Sequence, residues 1–259
     1  IRLSYSHGNL IRMNRTRYVR DNVFWYSSAN KIYENSGADS RYSLHFMYAD
    51  RNEILSNDYR RNSVGIFLMF SQGSTLKRNF VADSTGPFGI GIGMKESSDI
   101  LVEENQILYN ARGFYLDSSP YQPGTFNTFR GNEINFNTTA FLLHGTLLPS
   151  LFESNVFKGN IEDVANDTPE SKLEINTWRS NYWDNYEGFD RNDDGYGDIP
   201  HEQWMYADRI WSYLPAAKFF YASPVLDFMN FLWRLMPFSE PVLLARDARP
   251  QIRERGTEK

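Results

Sequence analysis

From residue 1 to about residue 175, short apolar runs alternate with single small polar residues. Arg41-Tyr42-Ser43-Leu44-His45-Phe46-Met47-Tyr48 is followed 22 positions later by Ser63-Val64-Gly65-Ile66-Phe67-Leu68-Met69-Phe70. Gly89-Ile90-Gly91-Ile92-Gly93-Met94, Gly113-Phe114-Tyr115-Leu116 and Ala140-Phe141-Leu142-Leu143-His144 continue the series. Each run is short, β-branched or aromatic, and bounded by Asn, Asp, Ser or Gly, which reads as a strand. No stretch carries the 3.6-residue period over the ten or so residues a connecting helix needs. Parallel strands without crossover helices imply a parallel β-helix, in which each coil stacks on the one before.

Asparagine marks the period. Asn35, Asn57 and Asn79 are spaced by 22, and Asn30, Asn52 and Ser74 stand five residues ahead of each. The unit N-x-[I/L/F]-x-x-N returns at 105–110, 127–132, 132–137 and 155–160. A fixed period in the twenties signals a solenoid. Asparagine suits it in two ways: it tolerates left-handed backbone at a corner, and its amide joins a ladder with the same group one coil away. Strand alternation points Leu44, Phe46 and Tyr48 inward, with Ile66, Leu68 and Phe70 on the next coil and Ile90 and Ile92 after that. His45, Met47, Phe67 and Met69 then face outward. The insertions at 84–87 and 118–124 read as loops at one corner.

Composition narrows the picture. Aromatic residues make up 16% of the chain, enough for a packed core rather than a disordered Asn-rich segment. The net charge of −5 gives no electrostatic footprint for nucleic acid. Arg12, Arg15, Arg17 and Arg20, near Arg2, form a local exception: a solvated face, or a docking patch for an acidic partner. Cysteine is absent, which removes disulfides and thiolate metal sites. No apolar run is long enough to give a transmembrane segment. The chain opens at Ile1 on strand-like sequence without a cap, so we expect N-terminal coils and a leader to precede it.

Repeat character fades near Ile175, dividing the sequence into a β-helix over 1–176 and a C-terminal extension over 177–259. In the extension, Asp190, Asn192, Asp194, Tyr196 and Asp198 hold positions 1, 3, 5, 7 and 9 of a calcium-type loop, with Gly195 at the sharp turn. Position 12 is His201 rather than Glu, and no helix pattern flanks the loop, so it is not an EF-hand. A structural calcium ion is expected there; an Asx-turn connection is the alternative. Beyond it, Ser223 as N-cap, Pro224 at N1 and Asp227 in the first turn predict a short helix ending at Pro237. Val225, Phe228, Met229, Leu232, Leu235 and Met236 form one stripe, with Phe231 and Trp233 off it. That helix either packs on the solenoid or presents Phe228, Phe231 and Trp233 to a partner. The tail 251–259 reads as disordered.

Two kinds of chemistry compete on this scaffold. A carbohydrate-acting or carbohydrate-binding β-helix needs acid and base side chains converging across coils. Asp50, Asp58, Asp83, Asp99 and Asp117 are scattered instead, so the reading is not an enzyme. Soft-metal binding fits better. Met47 and Met69 stack on adjacent coils about 4.8 Å apart, His45 shares their side, and Trp25 caps the column. Thioethers with an imidazole suit Cu(I); core packing is the bland alternative for a Met column. His7, His144 and His201 read as structural.

The whole pattern resembles the NosD family, the periplasmic copper-binding maturation proteins of nitrous oxide reductase. The specific part is Asn181-Tyr182-Trp183-Asp184, Gly188-Phe189-Asp190, the segment from Asp194 to His201, then Leu214-Pro215 and Ser223-Pro224. The resemblance implies an all-β, right-handed parallel β-helix with an irregular C-terminal extension containing a short helix. It implies a periplasmic location in a denitrifying bacterium and transient Cu(I) handling. It also implies three partners: the membrane subunit of an ABC transporter, a copper-chaperone lipoprotein, and apo nitrous oxide reductase. The copper ligands His45, Met47 and Met69 come from the residue pattern and not from the family.

Overall fold

The computed structural model describes residues 1–205, 220, 223–235 and 241–254, without the side chains of Asn230, Trp233 and Arg234. Three parallel sheets run along a β-solenoid, and each coil adds one strand to each sheet. The first sheet holds most of the longer strands, among them Asp21–Trp25, Tyr42–Met47, Val64–Met69, Ile90–Lys95, Arg112–Asp117 and Thr139–His144. Among the described residues, the departures from β-structure are a 3-10 turn at Leu173–Ile175 and one α-helix, Pro224–Leu235.

Stacking in register builds the core as columns of like residues. Leu44, Ile66, Ile92, Phe114 and Phe141 are register partners across five coils of the first sheet and are all buried. In the second sheet Phe129, Phe152 and Trp178 stack at 5.0 and 3.9 Å; in the third, Phe157 and Trp183 stack at 4.1 Å. Identical positions on successive coils meet face to face, so the interior fills by repetition rather than by long-range matching.

The asparagines form continuous ladders. From Asn14 to Asn181, each Oδ1 accepts the backbone N–H of the ladder member one coil earlier at 2.9–3.1 Å. The left-handed turn, however, falls on the residue before each asparagine. Glu34, Ser56, Arg78 and Glu104 have φ of 55, 54, 52 and 54°, and no described asparagine has a positive φ. The amide must aim along the stack, so its neighbour takes the strained conformation. That costs about 1–2 kcal/mol per residue, offset by ladder bonds of about 1 kcal/mol each.

The inward assignment needs three corrections. From Tyr42–Met47 onward, the first-sheet strands carry two consecutive inward residues, such as Gly65-Ile66 and Gly91-Ile92; a Cβ on Gly65 would lie 2.3 Å from Val81, and one on Gly91 3.0 Å from Ile107. Alternation is therefore broken ahead of the core column. Ile90 falls on the outer side, in a separate cluster with Val64 and Phe67. Tyr48 and Phe70 take positive φ and swing outside, where Tyr5, Tyr26, Tyr48 and Phe70 stack as a ladder at 4.8–5.1 Å. The two insertions also sit at different corners. Residues 84–87 precede the first-sheet strand Ile90–Lys95, whereas 118–124 lead from Arg112–Asp117 into the second sheet.

Stacking continues past Asn176 through Thr177–Arg179 and Tyr182–Trp183. Val242–Asp247 then returns beside Thr177–Arg179 and pairs antiparallel with His201–Met205. The central ladder ends there on Asp247, fully buried, whose carboxylate accepts from Asn181 N, Asn181 Nδ2, Ser180 N and Trp183 Nε1. A carboxylate accepts only, so it terminates a chain of amides that both accept and donate.

A candidate soft-metal site on the outer face of the first sheet

Register places Trp25, Met47 and Met69 side by side on three successive strands, followed by Lys95, Asp117 and His144 in the same outward column. His45 stands in the neighbouring outward column, beside Phe67. Its Nε2 lies 3.2 Å from Met69 Sδ. Two soft-metal donors thus meet across adjacent coils, with a third donor, the thioether of Met47, opposite Met69.

Aromatic rings hold His45 in place. Tyr42 stacks on the imidazole at 4.7 Å and 17°, and Phe67 meets it edge-on at 6.3 Å and 87°. The Phe67 ring lies over Gly93, where a Cβ would come within 2.2 Å of it; only glycine leaves that space. Desolvation lowers the His45 pKa, opposed by the nearby Asp21 charge and aided by Arg41. The shift favours the neutral imidazole, the form that ligates metal ions. Asp21 itself is held below the usual carboxylate range by its hydrogen bonds to Arg41.

The other expected sites fare differently. Asp190 accepts from the backbone N–H groups of Asp194 and Gly195, at 3.2 and 2.8 Å. Asp194 accepts from Tyr196 N and pairs with Arg249 at 2.8 Å, while Asp198 accepts from Arg191 N. Asn192 Oδ1 accepts from Asp194 N at 3.3 Å. These oxygens are taken up by the protein's own donors. Among the described residues no three His, Asp or Glu side chains come together as a metal site, and the calcium expectation finds no support. Gly188 and Gly197 have a separate reason: Tyr186 lies between them, its hydroxyl 2.6 Å from Ile199 O.

Of the arginine cluster, Arg12 pairs with Glu34 and Arg17 with Asp39. On the helix, Phe228 and Phe231 are exposed; the side chain of Trp233, with Met236 and Pro237, lies outside the described residues. His144 is oriented by Asp167 and Thr168, at 2.8 and 3.0 Å from Nδ1. His201 is buried against Trp183. Within the Tyr5–Phe70 ladder, stacked rings cover one another's inner faces. Sequence reasoning placed Phe67 outward with His45 but missed Tyr42 and Asp21 around it, and Asp247.

The model of the NosD family, described as periplasmic copper-binding protein, matches residues 1–188. The chain belongs to the NosD family. A probable ABC transporter binding protein NosD from Stutzerimonas stutzeri is 28% identical over 177 residues, covering 67% of this chain and 36% of that protein. A protein of the same description from Pseudomonas aeruginosa is 30% identical over 129 residues, covering 49% of this chain and 30% of its own length. The chain thus spans about a third of the length of the NosD proteins it matches. No described helix is long and apolar enough to cross a membrane.

Proposed function

We propose that this NosD-family chain binds Cu(I) transiently at His45, Met47 and Met69 in the periplasm. It receives the ion from a copper-chaperone lipoprotein and passes it toward apo nitrous oxide reductase, docked on the membrane subunit of an ABC transporter. The observation that carries the copper reading is the 3.2 Å approach of His45 Nε2 to Met69 Sδ, with Met47 in register beside it. Imidazole with thioethers is a donor set chosen by Cu(I) and poor for hard cations. Its place on the outer face of a sheet suits an ion that must leave again.

The test is a competitive Cu(I) titration of the wild type and of Met47→Ala/Met69→Ala. Loss of at least a hundredfold in affinity is expected; unchanged affinity removes the site. Transporter docking is assigned to the exposed face of the helix Pro224–Leu235, with Phe228 and Phe231 as contacts. Phe228→Ser/Phe231→Ser should abolish co-purification with the membrane subunit while leaving copper affinity intact. Retained co-purification would rule the helix out.

A further inference from the structure

We propose that Trp25 closes the copper site with the face of its indole and makes it selective for Cu(I). The inference rests on the His45/Met47/Met69 reading and adds a residue that supplies no ligand atom. Trp25 is the register partner of Met47, on the coil preceding it and in the same outward column. Its surroundings set it apart from the indoles of the core: Trp178 and Trp183 are buried in stacks, whereas Trp25 is 38% exposed. It also stands outside the neighbouring aromatic ladder. Tyr5, Tyr26 and Tyr48 are parallel to within 7°, but Trp25 tilts 36° from Tyr26 at 5.7 Å.

Three ligands leave a monovalent ion with one open side. Tyr42 and Phe67 wall the imidazole, and Trp25 is the aromatic in register with the thioether pair. An indole face carries negative potential and attracts a cation without a lone pair. Cu(II) prefers tetragonal nitrogen and oxygen ligands, and a ring over the open side would keep an added water from the ion. Trp25 therefore favours the soft monocation and hinders its oxidation.

The experiment uses Ag(I), an air-stable monovalent stand-in, and Cu(I), with wild type, Trp25→Phe, Trp25→Leu and Met47→Ala/Met69→Ala. The wild-type minus Trp25→Phe emission difference isolates Trp25, and Ag(I) is expected to quench it. Trp25→Leu is expected to weaken Cu(I) binding roughly tenfold and to speed air oxidation of the bound ion, with Trp25→Phe intermediate in both. If Trp25→Leu leaves affinity and oxidation rate unaltered and Ag(I) leaves the emission difference unchanged, while the double methionine variant loses binding, the cap is wrong and the copper site stands. If the wild type binds neither ion, or binds it independently of the methionines, both readings fail together.

Discussion

At the residue scale, an internal ladder asparagine does two jobs that no other side chain of its size combines. Asn105 Oδ1 accepts from Asn79 N and Asn79 Nδ2, and its Nδ2 donates to Leu76 O and Asn132 Oδ1, all at 2.9 Å. Asn105→Ala leaves the buried Asn79 N–H without its acceptor and removes the side-chain bonds to Asn79 Nδ2, Leu76 O and Asn132 Oδ1. At about 1–3 kcal/mol for the orphaned donor and about 1 kcal/mol for each lost bond, it should destabilise the fold by about 2–5 kcal/mol in urea unfolding. Asn105→Asp should be at least as harmful, because a carboxylate cannot donate onward to Asn132. Asp247 is tolerated because it ends the ladder. A loss below about 1 kcal/mol for Asn105→Ala would mean that the ladder is ornamental. Its 22-residue spacing made the ladder legible in the sequence. The left-handed φ of Glu34 and Arg78 was not legible, since nothing in those residue types favours that conformation.

At the element scale, the strand His201–Met205 covers the end of the solenoid and brings two buried ionisable groups to one glutamine. Gln203 Nε2 donates to Asp163 Oδ2 at 3.0 Å and lies 3.3 Å from His201 Nε2. Desolvation pushes the Asp163 pKa up to about 6, against hydrogen bonds from Asn160 and Gln203 and with help from the Asp184 charge. Desolvation pulls His201 down to about 4, opposed by Asp247. The two contributions have opposite signs. Asp163 is raised in the folded state, so its contribution is fully present below the unfolded value near 4 and lost as pH rises through about 6. His201 is depressed, so its contribution is present above about 6.5 and lost as pH falls toward 4. Each amounts to roughly 3 kcal/mol, and together they flatten the acid side of the stability profile. Asp163→Asn should raise the melting temperature at pH 7.5, and that advantage should vanish near pH 4. A variant destabilised equally at both pH values would show that Asp163 is held by its hydrogen bonds and not strained by its charge. None of this was legible beforehand, because Gln203 reaches Asp163 across 40 residues and outside the repeat.

At the scale of the whole molecule, coils contact only their neighbours, and the proposed copper site occupies two of them. The spacing that placed Met47 over Met69 could be read directly, because register across those coils is uninterrupted. The aromatic setting of His45 could not, because the paired inward residues at Ser43-Leu44 and Gly65-Ile66 shift Tyr42 and Val64 to the outer side. If stability is a sum of coil and neighbour terms, a coil remote from the site should be removable. Deleting 106–132 joins Asn105 to Glu133, which normally follows Asn132, and both asparagines occupy the same ladder position. Ile92 then faces Phe141, and Met94 faces Leu143, across the new junction, each pair apolar as before. The shortened chain should keep its β-sheet circular dichroism, melt at a lower temperature, and bind Cu(I) with the affinity of the full chain. Loss of copper binding in a folded deletion variant would show that ions are held by residues farther along the column, toward Asp117 and His144. Failure to fold at all would show that the solenoid is cooperative beyond its nearest neighbours.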